Sequence, residues 1–138
     1  MISLGVNLVT SHNNAILHAE IVAIMLAQQK LNTFDLGSTG LAEHELVSSS
    51  EPCAMCIGAT NWSGVHQLAY GATVEDAIAI GFDEGPISPD WQQELNNRGI
   101  EIIPALLREQ AAAVLKLYSS SDGALYNGGE NRLASELK

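Results

Sequence analysis

Two short runs constrain this chain more than anything else in it: His18-Ala19-Glu20 and, thirty-two residues after Glu20, Pro52-Cys53-Ala54-Met55-Cys56. Pro52 cannot donate a backbone hydrogen bond and suits the first turn of a helix, which places Cys53 and Cys56 on one side of a helix start. The helix dipole there lowers the proton affinity of thiols. These are the only two cysteines, too few and too close for a disulfide framework, and a reduced pair serving a metal fits better. His18, at the start of a second helix, supplies a third ligand. Three protein ligands leave one tetrahedral position of a zinc ion for water, the arrangement of a catalytic rather than a structural site. The pKa of such a water falls from about 15.7 toward about 7. Glu20, two residues from His18, is placed to take that proton and hand it on. Each part alone is weak, since a His-x-Glu triplet occurs by chance and a Cys-x-x-Cys also serves as a redox pair or as two packed thiols. Together and in this order they point to Zn2+. His12, His44 and His66 have no motif around them and read as solvated or loop histidines.

The flanking pattern alternates strands with helices. Ile2, Leu4, Val6 and Leu8 alternate with polar or small residues, the period of a half-buried strand, and Thr10 to Asn14 is a polar loop. Ala15 to Leu31 is a mostly buried helix, Glu45 to Ser48 a short strand entering the cysteine motif, Cys53 to Asn61 a helix and Gln67 to Thr73 the next strand. Phe82-Asp83-Glu84-Gly85-Pro86 is a loop or turn. Trp91 to Asn97 is helical and stops at Gly99. Ile100 to Ile103 is a strand, and Leu106 to Tyr118 a helix whose apolar face is Leu107, Ala111, Val114, Leu115 and Tyr118. The Ser/Gly/Asn-rich segment 119–138 carries Tyr126-Asn127. No internal repeat is present, and 138 residues suffice for one domain, 1–138, with one core. Such alternation implies an α/β layered domain.

Composition narrows the partners. The formal net charge is −10, and the six cations, Lys30, Arg98, Arg108, Lys116, Arg132 and Lys138, are scattered; nucleic-acid binding relies on clustered ones. The acidity reads as a soluble, mutually repelling surface. The longest apolar stretch, Ile21 to Ala27, is seven residues, far below the roughly 20 of a membrane span. With no secretory signal visible at the amino terminus, the expectation is a cytoplasmic protein without membrane or nucleic-acid partners.

The combined motif is the signature of zinc deaminases, and from Gly5 to about Asn127 the chain resembles the cytidine-deaminase-like superfamily, within it the bacterial guanine deaminases. The zinc motif carries the first likeness. Val6-Asn7, Ser50-Glu51-Pro52-Cys53-Ala54-Met55-Cys56-Ile57-Gly58-Ala59, Ile80 to Pro86 and Tyr126-Asn127 carry the second. The resemblance implies a three-layer α/β/α fold with a central mixed sheet. It also implies a homodimer in which the carboxy-terminal segment, 119–138, helps close the neighbouring active site, so that Tyr126 acts in trans. By the same resemblance Asn7 hydrogen-bonds the purine, Ala19 lies beside it, Trp62 walls the pocket, and Glu84 assists base recognition and proton transfer to the leaving amine. Taken alone, Asn7 reads as a strand-end turn residue, Glu84 as a solvated turn carboxylate and Trp62 as a core aromatic. One departure stands out: relatives normally carry a helix and a sheet-edge strand before the strand expected at Ile2, and their lack is expected to leave a sheet edge and helix faces exposed.

The implied reaction is hydrolysis of guanine at carbon 2 to xanthine and ammonia, with Glu20 carrying the proton. A tRNA adenosine deaminase or a cytidine deaminase shares the metal motif, and the first needs an RNA-binding surface that a charge of −10 opposes. A non-catalytic zinc-stabilised subunit is the alternative of a different class. It would have no use for Glu20.

Overall fold

The computed structural model describes residues 1–126. After an extended stretch the order is α1 (Val9–His12), α2 (Ala19–Leu31), β1 (Glu45–Ser50), α3 (Ala54–Ser63), β2 (Gln67–Ala72), α4 (Val74–Ile78), α5 (Trp91–Asn96), β3 (Glu101–Ile103) and α6 (Arg108–Ser120). The three strands form one sheet in the order β1-β2-β3, Leu46 opposite Leu68 and Leu68 opposite Ile102, both pairs parallel. Parallel neighbours require crossovers, and here α3 carries the chain from β1 to β2 while α4 and α5 carry it from β2 to β3.

β2 is buried on both faces. Leu68 and Tyr70 point into the main core with Ile24 and Ala27 of α2, Leu46 of β1, and Trp91 and Leu95 of α5. Successive strand side chains take opposite faces, and Gly71 accordingly meets α6, where a Cβ would come within 2.7 Å of the Ala111 methyl. Helices thus cover both faces of the sheet, the expected layered α/β arrangement. The sheet is parallel throughout the described residues rather than mixed, because the strand expected over residues 2–8 does not form. That segment has the right alternation but no ladder partner. It lies instead along α2, with the Ser3 hydroxyl donating to Ala23 O at 2.8 Å and Lys30 Nζ donating to Ile2 O at 3.1 Å.

Three further differences are local. The expected loop Thr10 to Asn14 overlaps the short helix α1, which starts at Val9 and is closed by Asn13 in the left-handed region at φ 49°. The helix expected from Ala15 begins at Ala19, because Asn14 Oδ1 accepts the Ile16 N–H and the His18 N–H turns back to Ile16 O. α6 begins at Arg108, since Leu107 is left-handed at φ 51°. Only part of its expected apolar face is covered: Ala111 and Leu115 are half-buried, while Leu107 and Val114 remain 66% and 62% exposed. Among the described residues no helix is long and apolar enough to cross a membrane.

Leu68 is fully buried in the central strand. Leu68→Ala is expected to cost about 2–5 kcal/mol, the range for emptying a packed leucine site, read as a lower midpoint in urea unfolding of the wild-type and variant chains.

Candidate active site

His18 and Cys53 occupy equivalent places. Each is the N-cap of its helix, with extended backbone angles (φ −66°, ψ 157° and φ −65°, ψ 169°) and no side-chain capping bond. Their carbonyls accept the first helical bonds, from Val22 and Ile57. Both side chains are therefore free of the capping role that an N-cap Ser or Asp would fill, and both stand where the positive ends of α2 and α3 favour a thiolate. Cys56, fully buried, follows within the first turn of α3.

The ligand atoms of His18, Cys53 and Cys56 lie within 4.8 Å of one another, the only such metal-capable group among the described residues. His18 Nδ1 is 3.6 Å from Cys53 Sγ. A tetrahedral ion with Zn–N near 2.0 Å and Zn–S near 2.3 Å would hold a nitrogen and a sulphur about 3.5 Å apart, so the donor set fits zinc in kind and spacing. The Cys53 thiol is pulled down to about 4, first by the hydrogen bond from Cys56 and further by His18 against the opposing effect of burial. Cys56 is pushed up by the same shared proton and by burial. His18 is raised chiefly by its contact with Cys53. Metal binding must displace the proton left on the cysteine pair, as thiolate coordination requires.

A cavity of about 380 Å³ opens over this group, and Asn7, His18, Ala19, Glu20, Cys53, Glu84 and Tyr126 all line it. Glu20, in the first turn of α2, accepts a hydrogen bond from the Ser48 hydroxyl at 3.2 Å. Glu84 reaches the cavity from the loop between α4 and α5, whose backbone is pinned where Ala54 N–H donates to Glu84 O at 3.0 Å. Burial, reinforced by the Cys53 charge, pushes the Glu84 carboxyl up to about 7. Tyr126 lines the same cavity from the end of the described chain. Its hydroxyl accepts from Asn7 Nδ2 at 2.6 Å, and its ring stands edge-on to Phe82 and to His18 at centroid distances of 5.4 and 6.1 Å.

Trp62 is the expected site residue that the single chain does not bring here. It is 80% exposed near the end of α3, roughly 13 Å along the helix axis from Cys53 at 1.5 Å per residue, whereas the cavity opens at the start of that helix. Tyr126 sits over the pocket of its own chain, and Asn127 lies outside the described residues. Ser48 and Phe82 join the site without having been singled out: a serine in a Ser-rich strand has no motif of its own, and Phe82, although inside the Ile80 to Pro86 run, was given no role there.

The zinc-binding region of cytidine and deoxycytidylate deaminases matches residues 1–72, more than half of the chain. The chain belongs to this family. A guanine deaminase of Bacillus subtilis is 33% identical over 109 residues, 79% of this chain and 67% of its own length. The solved structure of a guanine deaminase from Nitrosomonas europaea superposes with a TM-score of 0.83 at 47% identity, covering 84% of this chain. The chain spans 64% of that protein's length. A tRNA-specific adenosine deaminase of Buchnera aphidicola is more distant, 28% identical over 115 residues, 83% of this chain and 70% of its own. Family membership accounts for the layered fold and for the shared zinc-ligand pattern.

Cys53→Ala is expected to lose zinc and stability together, measured by metal content per chain and thermal midpoint. Full zinc retention would refute the ligand assignment. Ser48→Ala should keep its zinc.

Proposed function

We propose that the chain catalyses zinc-dependent hydrolytic deamination of a free amino-purine, guanine to xanthine and ammonia. The observation that carries the reading is a pair of carboxylates in unlike environments, Glu20 and Glu84, facing one cavity with His18 and Cys53. Carboxylates whose surroundings differ are how a site divides acid and base work.

Zinc bound by His18, Cys53 and Cys56 would supply Lewis acidity that brings the pKa of water near 7. Glu20, held by Ser48, takes a proton from the attacking water and delivers it to a ring nitrogen of the base. Glu84, with its carboxyl pushed up to about 7, carries a proton toward the departing amine and offers a polar edge to the purine. Asn7 supplies an amide to the base edge, and its bond to Tyr126 couples that contact to closure of the aromatic lid. Ala19 leaves room beside the ring. A cavity of about 380 Å³ lies at the small end of the roughly 300–1,000 Å³ of small-molecule sites and suits one base, and the scattered cations favour a free base over one carried on RNA. The net charge of −10 agrees. The two guanine deaminase relatives support the choice of ring, and buried polar groups matched to its edge would reject bases lacking the complement.

The homodimer belongs to the same reading. Exchange of segment 119–138 would preserve the Asn7–Tyr126 contact and change only which chain supplies the tyrosine, the usual economy of domain swapping.

Ammonia release from guanine, adenosine, cytidine and ammeline tests the assignment. Release from guanine by the zinc-loaded chain is expected, and silence on guanine with release from another substrate would overturn it. Glu20→Gln should retain zinc and lose about 10²–10⁴ in turnover. Burial holds the Glu84 carboxyl above its ordinary range, so kcat/KM is expected to fall as pH rises through that raised pKa and the proton for the leaving amine is lost, and Glu84→Gln removes that limb from the pH profile.

A further inference from the structure

Glu51 is a buried carboxylate whose side-chain hydrogen bonds, among the described residues, come from neutral donors. It is 8% exposed, at the end of β1, next to Pro52 and two residues before the ligand Cys53. Burying a charge is costly unless its oxygens are satisfied, and two neutral donors satisfy them here. Val74 N–H donates to Oε2 at 2.9 Å and Trp91 Nε1–H donates to Oε1 at 3.1 Å. The Glu51 backbone N–H donates to Ala72 O at 2.7 Å.

The placement of the two donors gives these bonds their meaning. Val74 begins α4, Trp91 begins α5, and the segment between them carries Glu84. One carboxylate therefore ties both ends of the Glu84-bearing segment to a single point. Its middle is tied to the same strut, since Ala54 N–H donates to Glu84 O. Residues 51–54 thus hold the segment at three places while presenting Cys53 to the metal. Glu51 also borders both the active-site cavity and the adjoining acidic cavity, which meet at Glu51, Phe82 and Glu84. A glutamine offers one oxygen where the two convergent N–H groups need two, and an aspartate is one methylene too short to span them.

We propose that Glu51 is a positioning residue that fixes Glu84 relative to the metal ligands by clamping α4 and α5 to the β1–α3 junction that bears Cys53. This rests on the role given to Glu84 above.

Two measurements on the zinc-loaded full chain test it. In Glu51→Gln, amide hydrogen exchange within residues 79–90 is expected to accelerate at least tenfold, with residues 19–31 and 67–72 unchanged. Unchanged exchange in 79–90 overturns the proposal whatever the substrate proves to be. Trp91→Phe, which keeps a ring in the core and removes one donor, should give the same local pattern more weakly; uniform acceleration in both variants would make Glu51 an ordinary core residue and overturn the clamp. The second measurement is a double-mutant cycle. Glu51→Gln should lower kcat about tenfold alone and less than twofold in a Glu84→Gln background, because it acts through Glu84. Multiplying losses would contradict it. Absence of turnover on guanine in the native chain would defeat the substrate assignment and leave the exchange measurement to decide the clamp.

Discussion

The structure depends on keeping a thiolate in a mostly apolar interior. Cys53 and Cys56 are buried, and an uncompensated charge there would be expelled or neutralised. Two helix N-termini solve the problem by converging: α2 and α3 aim their positive ends at the same point and place His18 and Cys53 at their N-caps. The parallel sheet makes that convergence possible. β1 delivers the chain to Pro52 from one side, β2 fixes the far end of α3, and α2 packs against both β1 and α3. A metal would complete a site that the backbone has already organised.

Around that centre the polar groups differ in freedom. Glu20 sits in a helical turn and is held by a strand hydroxyl. Glu84 sits on a loop, its backbone pinned beside the metal ligands. Tyr126 arrives from the end of the described chain and makes its contacts through one hydrogen bond and ring edges. This gradient from rigid to loosely attached matches the tasks assigned: ligands and proton carriers need fixed geometry, whereas a lid must open for a base to enter.

Much of this was legible in the sequence, for identifiable reasons. The metal site is local in two places, and each half carries a helix-start signal, so spacing alone exposed it. The strands over Glu45, Gln67 and Ile100 and the helices over Ala54 and Trp91 were legible because turn residues bound them. Residues 2–8 misled because alternation describes a side-chain pattern and not a partner, and without a ladder the segment settles on α2. The start of α2 was misplaced because Asn13 and Asn14 satisfy the backbone by side-chain and left-handed turns that hydrophobic periodicity does not register. Three of the five residues of the expected apolar face of α6 stay exposed: Leu107 precedes the helix in a left-handed conformation, and Val114 and Tyr118 border the open cavity over the metal-capable group. The roles of Ser48 and Glu51 were out of reach, since they depend on contacts 23 or more residues apart, and Phe82 and Glu51, although inside the quoted runs, meet their partners only in the folded chain.

The central claim is that two N-caps and one buried cysteine hold a single zinc with one position left open. Zinc-edge X-ray absorption on the purified, zinc-loaded chain reads this directly. Two sulphur scatterers at about 2.3 Å and two nitrogen or oxygen scatterers at about 2.0–2.1 Å are the result the account requires, with the shell changing in Cys53→Ala. Four sulphur scatterers, or a light-atom shell without sulphur, would contradict it.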